Sequence, residues 1–283
     1  MLEKCCTLFS LFPQALLAGV IIAAVCSLLG VFVILKRVVF IGIMLSEVAA
    51  CGIAAGMVLG IHPYLGAGIL TLVAVALLAQ SFELERIPRD AILGVIFVLA
   101  SALSILLVSK SGFGLEEVKS LLYGDLILTT NKDLNIIVAT LAPVLVWLIV
   151  TLRPTLYTFL DREAAKLLGV RVNLWEFGYF FALGLAVSAA SKVAGAMLVF
   201  CYLVVAPAAA LVLSRRLWLV MCAAAFIAIA CTLLGLYESI AQDLPTNQTI
   251  AVMTCGGFVL VLLVKAAQWL ISKSFLLSRT RRG

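Results

Sequence analysis

The sequence predicts an all-α fold in which a single domain, residues 1–283, forms a polytopic bundle of transmembrane helices. Hydrophobic residues make up 65% of the chain and charged residues 12%, whereas a soluble domain carries about 25% charged residues. Long apolar runs recur along the whole sequence, and segments of alternating polarity are absent. Because only helices and closed barrels can span a bilayer, and a barrel requires alternation, we expect helical spans.

The apolar runs define about nine spans, since roughly 20 helical residues are needed to cross a hydrocarbon core of about 30 Å. The breaks near residues 62 and 192 are short, so counts of eight and ten stay open. In chain order the expected spans are residues 12–35, 38–61, 64–80, 91–109, 134–152, 174–191, 193–213, 217–237 and 247–270.

The distribution of basic residues predicts how these spans are oriented. The chain has 20 Lys and Arg against 14 Asp and Glu, a formal net charge of +6. Most basic residues fall in alternate loops or in the C-terminal tail, and five lie on the other side, namely Lys4, Lys110, Lys119, Lys132 and Lys192. Since basic loops stay cytoplasmic, nine spans place the N-terminus outside and the C-terminus inside. The positive charge thus reports orientation and not nucleic-acid binding. Lys192 is expected to snorkel towards the interface, with pairing to an intramembrane acid as the alternative.

Patterns of catalytic chemistry are missing from the sequence. It contains no GxxxxGK[ST] phosphate loop, HExxH, GxSxG or Rossmann glycine pattern. The eight cysteines show no CxxC spacing, which argues against a zinc site or a disulfide framework. These absences exclude ATP hydrolysis by this chain alone. We expect that the protein is not an enzyme and binds no cofactor of its own.

Residues 160–170, LDREAAKLLGV, are a polar segment between apolar spans. Helical spacing puts the apolar residues on one face, which is formed by Leu160, Ala164, Leu167 and Leu168. The charged residues occupy the other face, which is formed by Asp161, Arg162, Glu163 and Lys166. Gly169 is a natural helix stop. Such an amphipathic helix indicates a docking surface for a soluble partner, with an ordinary helix lying on the bilayer as the alternative.

Glu47 is a charged residue near the middle of the second expected span. It lies about ten residues after Val38, or ~15 Å at 1.5 Å per residue. A charge at the bilayer centre costs at least ~2.5 kcal/mol, so it faces the bundle interior and marks a permeation pathway by default. Ser46 is adjacent, Cys51 lies one turn further on the same face, and a carboxylate with a thiol could transiently hold a divalent metal. A protonated, hydrogen-bonded Glu47 and a packing role for Cys51 remain open.

Five stretches spread over most of the chain carry a family resemblance. In order they are GVFVILKRVVFIGIMLSEVAACGIA (30–54), LLYGDLILTTNKDL (121–134), DREAAKLLGV (161–170), KVAGAMLVFCYLVVAPAAALVL (192–213) and AQDLPTNQTIAVM (241–253). Together they resemble the membrane permeases of ABC importers for zinc, manganese or iron. The resemblance implies that residues 160–173 form a cytoplasmic coupling segment, which meets the ATPase through Asp161, Glu163, Ala164, Ala165, Leu168 and Gly169.

The resemblance also implies the partners and the place of work. An ABC ATPase subunit would bind the ATP, an extracytoplasmic binding protein would deliver the substrate, and the permease would form a homodimer in the inner (cytoplasmic) membrane. A divalent metal ion would be the transported substrate, passing Glu47. Asp125 and Asp243 could line an acidic outer vestibule, and ordinary solvation in loops is an equal alternative.

The second span departs from the family pattern at the positions expected to contact the ion. Metal-importing members usually read Gly-Asp-x-x-Ser-His there, whereas this chain has Ile43 in place of the aspartate and Glu47 in place of the histidine. The identity of the metal is therefore open, and a metal complex is possible. A permease for a chelated cofactor, such as a siderophore or corrinoid, is one alternative. An ATPase-independent secondary transporter is another, although the inverted repeat typical of that class is not evident.

Overall fold

The computed structural model describes residues 13–79, 89–110, 124–160, 162–167 and 169–280. This described part is helical, without a strand, and confirms the expected all-α bundle. In chain order its helices are α1 (Pro13–Leu35), α2 (Val39–Leu59), α3 (Pro63–Ala79), α4 (Arg89–Lys110), α5 (Asn131–Val150), α6 (Leu152–Leu160), α7 (Arg162–Leu167), α8 (Val172–Leu213), α9 (Leu217–Gln242) and α10 (Thr246–Thr280).

Seven helices of the described part are long and apolar enough to cross a membrane: α1, α2, α4, α5, α8, α9 and α10. The α3 helix is apolar but shorter, over Pro63–Leu78. The protein is therefore a multi-pass membrane protein. The topology with nine crossings, and the side on which each loop lies, stay predictions.

The α8 helix is long because it contains two limbs, which Gly195 separates. Gly195 has φ 71° and ψ 160°, a conformation that a residue with a Cβ rarely adopts. Before the break, the Tyr179 hydroxyl donates to the carbonyl of Leu29 at 2.6 Å, and after it the Leu203 carbonyl packs directly on Gly30. A straight helix would hold Tyr179 and Leu203 about 36 Å apart. The two limbs are therefore antiparallel, and the break lies close to the expected one at 192.

Two other stretches of the chain pack on this break and satisfy its backbone. Asn247 donates from Nδ2 to the carbonyls of Val193 at 3.3 Å and Ala194 at 3.0 Å. Gly124, at φ 62°, lies so close that a Cβ on it would come within 2.5 Å of the Gly195 nitrogen. Carbonyls freed by a helix break need such partners in an apolar medium. Three of the five stretches of family resemblance therefore meet at one junction.

The centre of the bundle consists of α1, α2 and the limbs of α8. In the apolar windows of α1 and α2, 67% and 72% of the residues are buried, against 22% in α4 and α5 and 17% in α10. The backbones of α2 and α3 touch at Gly52 and Gly66, where either glycine leaves no room for a Cβ. Small residues permit such close helix contact within a membrane. Glu47 thus lies on one of the two most buried spanning helices.

Candidate functional site

Glu47 lies near the middle of α2, eight residues after its start at Val39. Its side chain is half-buried, and the side chain of Ser101 in α4 lies near its carboxyl group. The Oε2 atom is buried and has no hydrogen-bond partner among the described residues. An unpartnered buried oxygen is costly, because it has lost its water without gaining a donor. Because this oxygen belongs to an acid, it is a candidate contact for a cation.

The side chains next to Glu47 along α2 form a partly open stripe. Phe40 is 41% exposed, and Ile43, one turn before Glu47, is partly exposed as well. Cys51, one turn after Glu47, is buried at 3% exposure. The structure therefore keeps the expected carboxylate and thiol on one face of α2. The open part of the stripe lies on the side of Ile43 and Phe40.

Ser46, the third residue expected on the pathway, is occupied within its own helix. It is fully buried, and its hydroxyl donates to the carbonyl of Gly42 at 2.9 Å. Such a bond to the preceding turn satisfies the hydroxyl without a second element. The structure therefore does not bring Ser46 to the Glu47 carboxylate.

One chain does not provide a complete metal site within the part that the structure describes. No group of three or more His, Cys, Asp or Glu residues is placed to hold a metal ion there. Divalent ions of the first transition row take four or more ligands at a stable site. Glu47 alone is suited to a passing ion or to a site that is completed from elsewhere.

The 160–173 segment differs from the single amphipathic helix that the sequence predicts. Leu160 is the last residue of α6, and α7 begins separately at Arg162. Asp161 and Leu168 lie outside the described residues. Ala165 is buried against the bundle at 1% exposure, whereas Leu167 is 89% exposed. Leu167 of the expected apolar face is therefore left open on the surface of α7.

Gly169 ends α7 in the way its position in the sequence predicts. It has φ 76°, and its amide donates to the carbonyl of Lys166 at 3.0 Å. The amide of Val170 donates to the carbonyl of Ala165, also at 3.0 Å. This pair of bonds is the Schellman arrangement, which uses a left-handed residue to close a helix. It fixes the direction of the chain between α7 and α8, while Glu163 and Ala164 stay exposed on the α7 surface.

Asp125 and Asp243 are exposed, and each has a contact with a residue close to it in sequence. An oxygen of Asp125 accepts the amide of Ile127 at 3.0 Å and closes a turn. Asp243 caps the C-terminus of α9 with φ 50°, and its amide donates to Ser239. Aspartate is favoured in both settings for these conformational reasons. The outer vestibule stays a prediction.

An ion pair lies at the end of the bundle opposite the 160–173 segment, and it is the alternative role of Lys192 with a partner that the sequence did not name. Lys192, expected to snorkel, places Nζ 2.7 Å from an oxygen of Asp133 and 4.3 Å from the centre of the Tyr64 ring. The Tyr64 hydroxyl donates to the same aspartate at 3.0 Å. Lys192 and Asp133 are 59 residues apart in sequence. Their positions at the ends of apolar runs were the one feature of the sequence that pointed to a contact between them. The pair ties α3, α5 and the first limb of α8 together.

Comparison with known proteins identifies the family of this chain. Residues 9–265 match the model of the ABC 3 transport family. The chain belongs to this family. It is 26% identical over 269 residues to "Manganese transport system membrane protein MntC" of Halalkalibacterium halodurans, covering 94% of this chain and 91% of that protein. It is also 26% identical to "High-affinity zinc uptake system membrane protein ZnuB" of Haemophilus influenzae, over 252 residues, 89% of this chain and 95% of the other.

Solved structures share the fold of this ABC 3 family member. The structure titled "PsaBC from Streptococcus pneumoniae in complex with Fab" matches with a TM-score of 0.83 at 21% identity, over 92% of this chain and 95% of that one. An inward-facing metal-chelate type ABC transporter matches with a TM-score of 0.69 at 18% identity, over 90% and 88%. At these identities the likeness concerns the fold alone.

Proposed function

We propose that this chain is the permease subunit of an ATP-driven importer, and that its substrate is a divalent metal ion (zinc, manganese or iron) or a metal complex. Membership of the ABC 3 family and the manganese- and zinc-transport names of similar proteins support this function. The observation that carries it is the half-buried Glu47 in the middle of a central helix, with one oxygen buried and unpartnered among the described residues. A carboxylate is retained at such a depth chiefly for a pathway.

The permease works as a homodimer in this proposal. A single carboxylate is a poor ligand set for a divalent ion, and a second copy of the chain would bring a second Glu47. The partly open stripe at Phe40, Ile43 and Glu47 is the side of α2 from which a partner could contribute. An ATPase dimer also requires two docking segments, one from each permease.

The transport cycle follows from these parts. A separate ABC ATPase subunit binds ATP and closes, the exposed surface of α7 receives the motion, and the bundle alternates its access. An extracytoplasmic binding protein delivers the substrate, which passes near Glu47 into the cytoplasm. This chain holds the pathway in the inner (cytoplasmic) membrane and catalyses no chemistry.

Ile43 and Glu47 stand where metal-importing members usually have aspartate and histidine, and this favours testing a metal complex beside the bare ions. The manganese- and zinc-transport names of similar proteins favour the bare ion. A permease for a chelated cofactor is therefore the second candidate.

The deciding experiment is reconstitution of the chain with its ATPase and binding protein in proteoliposomes. We expect ATP-dependent uptake of one of zinc, manganese or iron, with elemental analysis of the vesicle contents as the measurement. Uptake of a chelate alone would select the second candidate. A chain that never associates with an ATPase subunit would overturn both.

A further inference from the structure

At the end of the bundle that carries the 160–173 segment, one carboxylate holds two cations from different elements. Glu176, four residues after the start of α8, places Oε1 2.8 Å from Lys36 Nζ and 3.7 Å from Arg162 Nε. The side chains of Lys36 and Glu176 are 17% and 18% exposed, and that of Arg162 is 45% exposed. Arg162 also donates to the side chain of Asn173 at 3.2 Å. Glu176 is thus the shared member of a three-residue ionic bridge.

The two cations belong to the two parts of the protein that the proposed function must connect. Arg162 is the first residue of α7, whose outer surface is exposed. Lys36 lies in the tight turn between α1 and α2, in which the amide of Arg37 donates to Ile34 at 2.9 Å and Val38 donates to Val33 at 3.2 Å. The α2 helix begins at Val39 and carries Glu47. A short bonded turn and a continuous helix therefore link Lys36 to the pathway residue.

Lys36 is fixed in place by aromatic rings as well as by Glu176. Its Nζ lies 4.6 Å from the ring centre of Phe159, in α6, and 4.9 Å from that of Phe180, in α8. Phe159 in turn packs edge-on to Tyr179 at 4.8 Å. A cation between two rings and a carboxylate has few alternative positions. Movement of Glu176 is therefore passed to Lys36 and is not absorbed by a flexible side chain.

We propose that Glu176 is the positioning residue that couples the docking surface of α7 to α2. Displacement of α7 moves Arg162, Glu176 follows its partner, and Lys36 carries the shift through the α1–α2 turn to the helix of Glu47. Loss of the carboxylate removes the contacts of Glu176 with both Lys36 and Arg162. It also leaves these two cations near each other, where they repel. The inference rests on the proposed function, because it assigns the route by which an ATPase on α7 would act on the pathway.

The test compares three variants that each cut one point of the bridge: Glu176→Gln, Arg162→Gln and Lys36→Met. Reconstituted with ATPase and binding protein, each is expected to keep ATPase association and to lose about tenfold in substrate imported per ATP hydrolysed, within the range typical of coupling between sites. Uptake is measured with zinc, manganese, iron or chelate, whichever the wild-type complex carries. Because the links act in series, the double variant Glu176→Gln with Lys36→Met should be no worse than either single one.

Controls separate coupling from folding. Lys36→Arg keeps the cation and should retain the wild-type import per ATP. Glu238→Gln should do the same, because this glutamate accepts a hydrogen bond from Gln242 one turn away in its own helix. If Glu176→Gln does not fold, Arg162→Gln cuts the bridge at its most exposed member. Wild-type import per ATP in the bridge variants, or losses that multiply in the double variant, would overturn the inference. Failure of the wild-type chain to bind an ATPase or to import would instead overturn the proposed function.

Discussion

Glu47 differs from an ordinary structural acid in the surroundings of its carboxyl group. Its oxygen Oε2 is buried without a partner among the described residues, although Ser101 lies within reach of the carboxyl group. A structural acid in a membrane normally has its oxygens satisfied, since each unsatisfied group costs several kcal/mol. In the proposed function, a passing cation offsets this cost for part of the transport cycle.

Glu47→Gln is expected to lower uptake by about tenfold or more, which corresponds to ~1.4 kcal/mol in the barrier. The amide keeps the shape of the side chain, so the charge that attracts a cation is what the substitution removes. Initial uptake rates in proteoliposomes provide the measurement. Cys51→Ser, one turn away on the same face, is the matched control and should have a small effect, because Cys51 is buried in packing. Unchanged uptake in Glu47→Gln would remove this residue from the pathway.

At the scale of the element, the end of α7 depends on one left-handed residue. A Cβ on Gly169 would meet nothing within 4 Å, so space does not require glycine there. The backbone conformation does require glycine, because φ is 76° and a residue with a side chain adopts this angle at a cost of about 1–2 kcal/mol. The bonds that close α7 are therefore sensitive to a single methyl group that touches no neighbour.

Gly169→Ala is expected to fray the end of α7 by about 1 kcal/mol and to weaken ATPase association about fivefold. The measurement is the affinity between the detergent-solubilised permease and its ATPase subunit. Gly256→Ala is the matched control, because its added Cβ also meets nothing within 4 Å and no positive φ is involved. Equal affinities of Gly169→Ala and wild type would mean that ATPase binding does not depend on this end of α7.

How far the sequence predicts these elements depends on the range of the interaction. Apolar runs and a glycine stop are local signals, and they predicted the all-α bundle and the end of α7 at Gly169. The break in α8 was expected at 192 and lies at Gly195, because the reversal needs a positive φ that Lys192 could reach only with strain. Continuity of residues 160–170 was also expected, but α6 ends at Leu160 and α7 starts anew.

The partners in the ion pairs were beyond local reasoning for the same physical cause. Lys192 and Asp133, like Lys36 and Glu176, belong to elements that are distant in sequence and meet only after the helices have packed. Each cation read alone indicates a loop or an interface. An ion pair can be assigned only when the fold is known to place an acid within reach of the cation.

At the scale of the whole molecule, the surface of the single chain is incomplete for its function. The stripe of α2 at Phe40, Ile43 and Glu47 is partly open, and a half-buried carboxylate cannot face lipid without a cost of at least ~2.5 kcal/mol. Water or a second protein must therefore cover it. A second copy related by a two-fold axis would place like residues opposite each other across the interface.

We predict that Ile43→Cys, in a background without native cysteines, forms a disulfide between two copies of the chain on mild oxidation in membranes. The reason is that residues near a two-fold axis approach their own symmetry mates, and Ile43 is one turn from Glu47 on the same stripe. The measurement is a dimer band on non-reducing gels that disappears with reductant. Val146→Cys, 60% exposed on α5, is the control position and should stay monomeric. Equal cross-linking at both positions would indicate random collision, and none at Ile43 would place the pathway within one chain, with water rather than a partner beside Glu47.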